Sequence, residues 1–156
     1  MFEGEEFVRG HLAVRNLILN VSAVVWRREA LLRALNACRQ ELAELRMAGD
    51  WRLYLEALAE PGAHIAYVAD ILNAHRRHAS SVTHALQADK HIAEIAACQK
   101  FAVEKFRLNR DTKKRQKNYL EEVSLQLRPA QNKGVNASGS KSDACKTGNN
   151  PKRRSR

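Results

Sequence analysis

Between Ala63 and Arg128 the sequence contains neither glycine nor proline. The two residues that most readily end a helix are absent from that whole span, which excludes a turn-rich fold there and predicts one uninterrupted helix. Aromatic residues are also scarce, at 6% of 156 residues, which argues against a broad globular core and for an elongated helical one. Cysteine is limited to Cys38, Cys98 and Cys145, odd in number and with no C-x-x-C pair, so a reducing compartment is expected. No long apolar run is present either: "HLAVRNLILNVSAVVW" is broken by Arg15, Asn16, Asn20 and Ser22 and falls short of the roughly 20 apolar residues that span a bilayer. "MFEGEEF" is acidic where a signal peptide would be basic. These absences together describe a soluble, cytoplasmic chain.

What is there is helical periodicity. Val14, Leu17, Val21, Val24, Arg28, Leu31, Leu35, Cys38, Leu42 and Leu45 alternate steps of three and four, the rhythm of a heptad seam. Ile65, Val68, Leu72, His75, Ala79, Val82 and Leu86 keep the same rhythm, and a shifted frame then runs from Ala85 through Ile92, Gln99, Phe106, Asn109 and Gln116 to Leu127. Two seams separated by the Pro61-Gly62 turn predict an all-α fold, a long antiparallel two-helix coiled-coil hairpin. Its expected parts are a helix over 11–48, a short helical tip over 49–64 and a helix over 65–128. With the turn at 61–64, residue i should face about residue 125 − i, which sets Cys38 and Cys98 too far apart for a disulfide. Pro129 should end the second helix. Residues 129–156, rich in Gly, Ser, Asn and Lys, read as a disordered basic tail.

Two places carry the candidate functional residues. At the tip, Asp50 is a candidate N-cap for a short helix, and Trp51, Tyr54, Leu58 and Tyr67 gather. They either plug the end of the hairpin or form a partner-binding patch, the role in which Trp and Tyr are enriched. At the other end, "KFRLNRDTKKRQKN" (105–118) holds seven basic residues against one Asp: Lys105, Arg107, Arg110, Lys113, Lys114, Arg115 and Lys117. Residues 1–99 hold 11 basic and 12 acidic groups, whereas 100–128 hold 9 and 4 and 129–156 hold 7 and 1. The whole net charge of +10 therefore lies in the last third. Such a run can meet acidic protein loops by complementarity, neutralise nucleic-acid phosphates, or only solvate a helix end. The nucleic-acid reading is the weaker of the first two, because Phe106 and Tyr119 are the only aromatics available for base stacking.

Catalytic chemistry is not expected. His75, His78, His84 and His91 fall on one predicted helix without Cys or carboxylate ligands from a second element, so no metal site is assigned. No Gly-rich phosphate loop or G-x-S-x-G is present, Glu121 and Glu122 read as solvated charges, and no cofactor is implied.

The stretches "LLRALNACRQELAEL" and "QKFAVEKFRLNRDTKKRQK", set in two long heptad segments with a tip interruption, resemble the FliJ/YscO/HrpO family of type III secretion and flagellar export stalk proteins. The likeness covers roughly residues 10–128 and is one of architecture and composition. It implies a non-enzymatic stalk or adaptor, peripheral to a membrane export complex, whose partners are a hexameric export ATPase, a membrane export gate protein and secretion chaperones. The alternative is a basic coiled-coil nucleic-acid-binding protein.

Overall fold

A computed structural model describes residues 1–18, 20–70, 72 and 88–135 of the chain. These residues are mostly helical. In chain order they form β1 (Phe2–Glu3), α1 (Gly4–Phe7), a π-helical turn (Val8–Leu12), a 3-10 turn (Val21–Ala23), α2 (Arg28–Ala37), α3 (Arg39–Glu44), α4 (Gly49–Leu58), β2 (His64–Ile65), α5 (Ala88–Lys105) and α6 (Arg110–Val135). No helix among the described residues is long and apolar enough to cross a membrane.

The expected helix over 11–48 is divided. Asn16 accepts a hydrogen bond from the Ile18 N–H at 3.0 Å, and Asn20 accepts from the Ser22 N–H at 3.1 Å. Short side chains that bond the backbone two residues on offer the chain an alternative to the helix, and the β-branched Val21, Val24 and Val25 do not oppose it. The apolar residues of the first seam are therefore shared between a non-helical stretch and two short helices that part at Cys38, where φ is −114° and ψ is 20°.

The expected helix over 65–128 is also interrupted. After Pro61, Gly62 adopts φ +74°, a left-handed turn that glycine accepts without steric cost. The turn brings His64 and Ile65 into antiparallel register with Glu3 and Phe2. Gly4 packs at this junction, with its N–H donating to the Ala63 carbonyl at 2.8 Å and an added Cβ lying only 2.9 Å from that same oxygen. Farther along, α5 stops at Lys105 and α6 restarts at Arg110, because the Asn109 side chain accepts the Thr112 N–H at 2.7 Å as an N-cap. Pro129 does not end the helix, since α6 runs to Val135. The bond that proline cannot donate frees the carbonyl of Leu125, in a turn that water reaches (Leu125 is 73% exposed). The seam positions His75, Ala79, Val82, Ala85 and Leu86, together with His78, His84 and the tail from 136 to 156 with Cys145, lie outside the described residues.

Pairing differs from the expected register as well. Gln99 on α5 and Gln116 on α6 each donate to the other's backbone carbonyl, at 3.1 and 3.2 Å, so α6 folds back on α5 through the short turn 106–109. The N-terminal segment lies alongside α6 in ascending order: Thr112 bonds the Arg9 carbonyl, Arg115 that of Gly10 and Gln116 that of Ala13. This is a parallel course, whereas the register 125 − i is antiparallel. Proximity in sequence decides it, because α5 is joined to α6 by four residues and covers its apolar stripe first.

The core centres on α4, whose residues 51–55 are all buried. Trp51, Tyr54, Leu55 and Leu58 pack with Val8, Leu12, Ile95, Cys98 and Phe106, while Leu53 turns to a smaller cluster with Ala34 and Cys38. Five consecutive buried residues cover more than one full turn, so α4 is interior nearly all round, the side carrying Arg52 included. The buried Arg52 is paired with Glu56 at 2.7 Å and Glu41 at 3.3 Å, and its guanidinium lies 3.5 Å over the Phe101 ring. Just before α4, the Glu94 carboxylate accepts the backbone N–H groups of Arg46, Met47 and Ala48 at 2.7–2.9 Å.

Replacing Gln116 with Leu leaves the Ala13 carbonyl without its donor and should lower stability by about 1–3 kcal/mol, whereas the same change at the exposed Gln126 should alter urea unfolding little. Burial alone would raise the Glu94 pKa, but the three N–H donors hold it below the ordinary 4.5. A depressed folded pKa stabilises above the unfolded value and loses that contribution as pH falls through the folded one. Urea midpoints should therefore drop as pH falls below 4.5, and Glu94→Gln should be less stable at neutral pH and show a shallower acid decline.

Candidate functional site

The turn between α5 and α6 sorts its side chains by burial. Phe106, Leu108, Thr112 and Gln116 turn inward, and the residues between them are pushed out. Lys105, Arg107, Arg110, Lys113, Lys114, Arg115 and Lys117 are all exposed, so the structure gathers the seven cations on one elbow. Lys117 is 3.8 Å from Glu121, Lys105 stands 5.9 Å from the Phe101 ring centroid, and Arg115 donates to the Gly10 carbonyl. Arg107, Arg110, Lys113 and Lys114 have no carboxylate within 4.0 Å among the described residues. Arg110, Lys113 and Lys114 also occupy the first turns of α6, where the helix dipole is positive and disfavours further positive charge.

The aromatic tip is placed otherwise. Trp51, Tyr54 and Leu58 are buried in the main core rather than offered to a partner. Trp51 donates its indole N–H to the Leu12 carbonyl at 2.9 Å, and Trp26 stacks on Tyr54 with centroids 5.7 Å apart. Tyr67 is 79% exposed and is not packed with them. The four residues do not form one patch, because α4 is enclosed on all sides by α2, α5 and the N-terminal turns.

Beside the elbow lies a feature that periodicity did not reveal. Val14, Arg15 and Leu17 face Arg115, Tyr119 and Glu122 across a groove of about 300 Å³. Burial pushes the Tyr119 hydroxyl's pKa up, while the Arg15 charge draws it down and Glu122 raises it. The signal available in the sequence was the polar break at Arg15 in an apolar run, together with the i, i+4 spacing of Arg115 and Tyr119 on one helix face.

The buried titratable groups are held out of chemistry. Burial pushes the Cys98 thiol up to about 12 and raises Cys38, so neither offers a thiolate nucleophile near neutral pH. Glu94 is fully occupied by three N–H donors. Among the described residues no group of three or more His, Cys, Asp or Glu is placed to hold a metal ion. No family model, no curated protein and no solved structure matches the chain.

With Cys145 replaced by Ser, the native protein should be inert to an aromatic disulfide reagent at mildly alkaline pH and expose two reactive thiols only on unfolding. Prompt labelling of the native chain would show that a thiol is more acidic and more accessible than this packing allows.

Proposed function

We propose that the chain is a non-enzymatic docking module that binds an acidic surface of a protein partner through the α5–α6 elbow. The observation that carries this reading is the set of exposed cations without ion-pair partners at the positive end of α6. Local stability opposes that arrangement, and conflicts of this kind concentrate at functional sites. In the setting implied by the resemblance to export stalk proteins, the partner is the ring of a hexameric export ATPase, with the membrane export gate protein and secretion chaperones as further contacts. The elbow alone supports the adaptor role. The coupling of two distant machines by one long coiled-coil hairpin rests on the resemblance alone, since the described helices break at Cys38 and again at 106–109. The half-buried Tyr119 beside two arginines gives the nucleic-acid alternative one specific support.

Charge reversal separates these readings. Lys113→Glu with Lys114→Glu should leave the helical circular dichroism unchanged and weaken binding to the export ATPase about tenfold or more. Each reversal removes an attraction and adds a repulsion of roughly 0.2–1 kcal/mol. Unchanged ATPase binding would sink the reading. Duplex DNA retained at moderate salt by the native chain and lost by the variant would favour the nucleic-acid alternative.

A further inference from the structure

The elbow supplies attraction, and the groove beside it supplies shape. It is lined by the buried Val14 and the half-buried Tyr119, and Arg15 and Arg115 are exposed on the two segments that border it. Neither arginine has a carboxylate within 4.0 Å among the described residues. Leu17 is 39% exposed at the lip, and beyond it Val21 and Val25 are 49% and 100% exposed. The Asn16 and Asn20 turns hold this segment out of a helix and leave these apolar side chains exposed.

We infer that groove and elbow together bind an acidic peptide segment bearing apolar anchors. This rests on the reading of the elbow as a protein dock and names the kind of segment it takes. One carboxylate of the segment is held between Arg15 and Arg115, the next ones reach Lys114 and Arg110 along α6, and an aliphatic or aromatic side chain sits on Tyr119 and Leu17. Charge-assisted contacts from arginine to carboxylate are directional, and an apolar anchor between them adds affinity that salt does not screen. A nucleic-acid strand fits less well, because one half-buried ring gives a single stacking face.

The test is fluorescence anisotropy on the full chain with three labelled probes at low and moderate salt. They are a short Asp/Glu peptide with Leu and Phe at helical spacing, poly-glutamate of equal length, and a single-stranded oligonucleotide. At moderate salt the amphipathic peptide should bind about tenfold more tightly than poly-glutamate, the difference expected when one apolar side chain is buried. Leu17→Ser should erase that difference while leaving poly-glutamate binding unchanged. Arg15→Glu should weaken both peptides about tenfold, with helicity intact as the control. Equal binding of the two peptides, lost together with salt, overturns the groove and keeps the elbow. Absence of binding by both overturns both readings. Preferential retention of the oligonucleotide overturns the peptide and assigns the surface to nucleic acid.

Discussion

Two buried glutamine amides hold the described structure together. Gln99 and Gln116 exchange bonds between α5 and α6, and each also donates to the N-terminal segment, Gln99 to the Val14 carbonyl and Gln116 to that of Ala13, both at 2.9 Å. A primary amide carries two N–H donors on one nitrogen, so each side chain can bind two carbonyls on different segments. Apolar packing alone would permit α6 to slide along α5. The amides do not, because a slip would strand buried donors at a cost of about 1–3 kcal/mol each. The same bonds that set the helix register also fix residues 13 and 14 against α6, and with them the position of Arg15 opposite Arg115. The groove is thus a consequence of the clasp.

Glu94 plays the corresponding part on α5, between Gln99 and the start of the helix. The turn leading into α4 presents three successive N–H groups, and a carboxylate from a different helix satisfies all three. That choice ties α5 to α4, the most enclosed helix, and so connects α4, α5 and α6, with α2 and α3 packed on α4 through the smaller cluster around Leu53. Arg52 extends the connection, joining Glu41 of α3 and Glu56 of α4 to the Phe101 ring of α5.

Helical class and the placement of charge were legible in the sequence. Apolar residues at steps of three and four state that helices form, and exposure of a dense basic run follows from the cost of burying charge. Where those helices stop is not legible from periodicity. Asn16, Asn20 and Asn109 each redirect the backbone through their own side chains, and a seam written across them remains periodic even though the helix does not continue. Asn109 was readable as an N-cap followed by Asp111 in the first turn, but the seam had already claimed it. The tip aromatics stood between two readings, an apolar plug and a contact patch. Composition cannot distinguish a patch from a core, and only the packing of α4 under its neighbours decides that Trp51 and Tyr54 are interior. The Arg15 break and the Arg115–Tyr119 spacing mark two sides of the groove without joining them, since that depends on which segment lies beside α6, and hence on the two glutamines.

The basic run finally has to be reconciled with the helix that carries it. Helix starts favour carboxylates, and α6 follows the rule once, with Asp111 in its first turn. Arg110, Lys113 and Lys114 break it within the same turns. The long amphipathic face of α6 is stabilised elsewhere, by Thr112, Gln116, Tyr119, Leu120 and Val123 against the N-terminal segment and α5, so the helix tolerates the repulsion of its own cations. Tolerance makes the cluster possible without explaining its sign. Seven cations could be solvated at any exposed helix face, yet Arg110, Lys113 and Lys114 stand where the α6 dipole adds to their charge and Arg115 borders the groove. Solubility requires charge but not that convergence, whereas recognition of an anionic partner requires both.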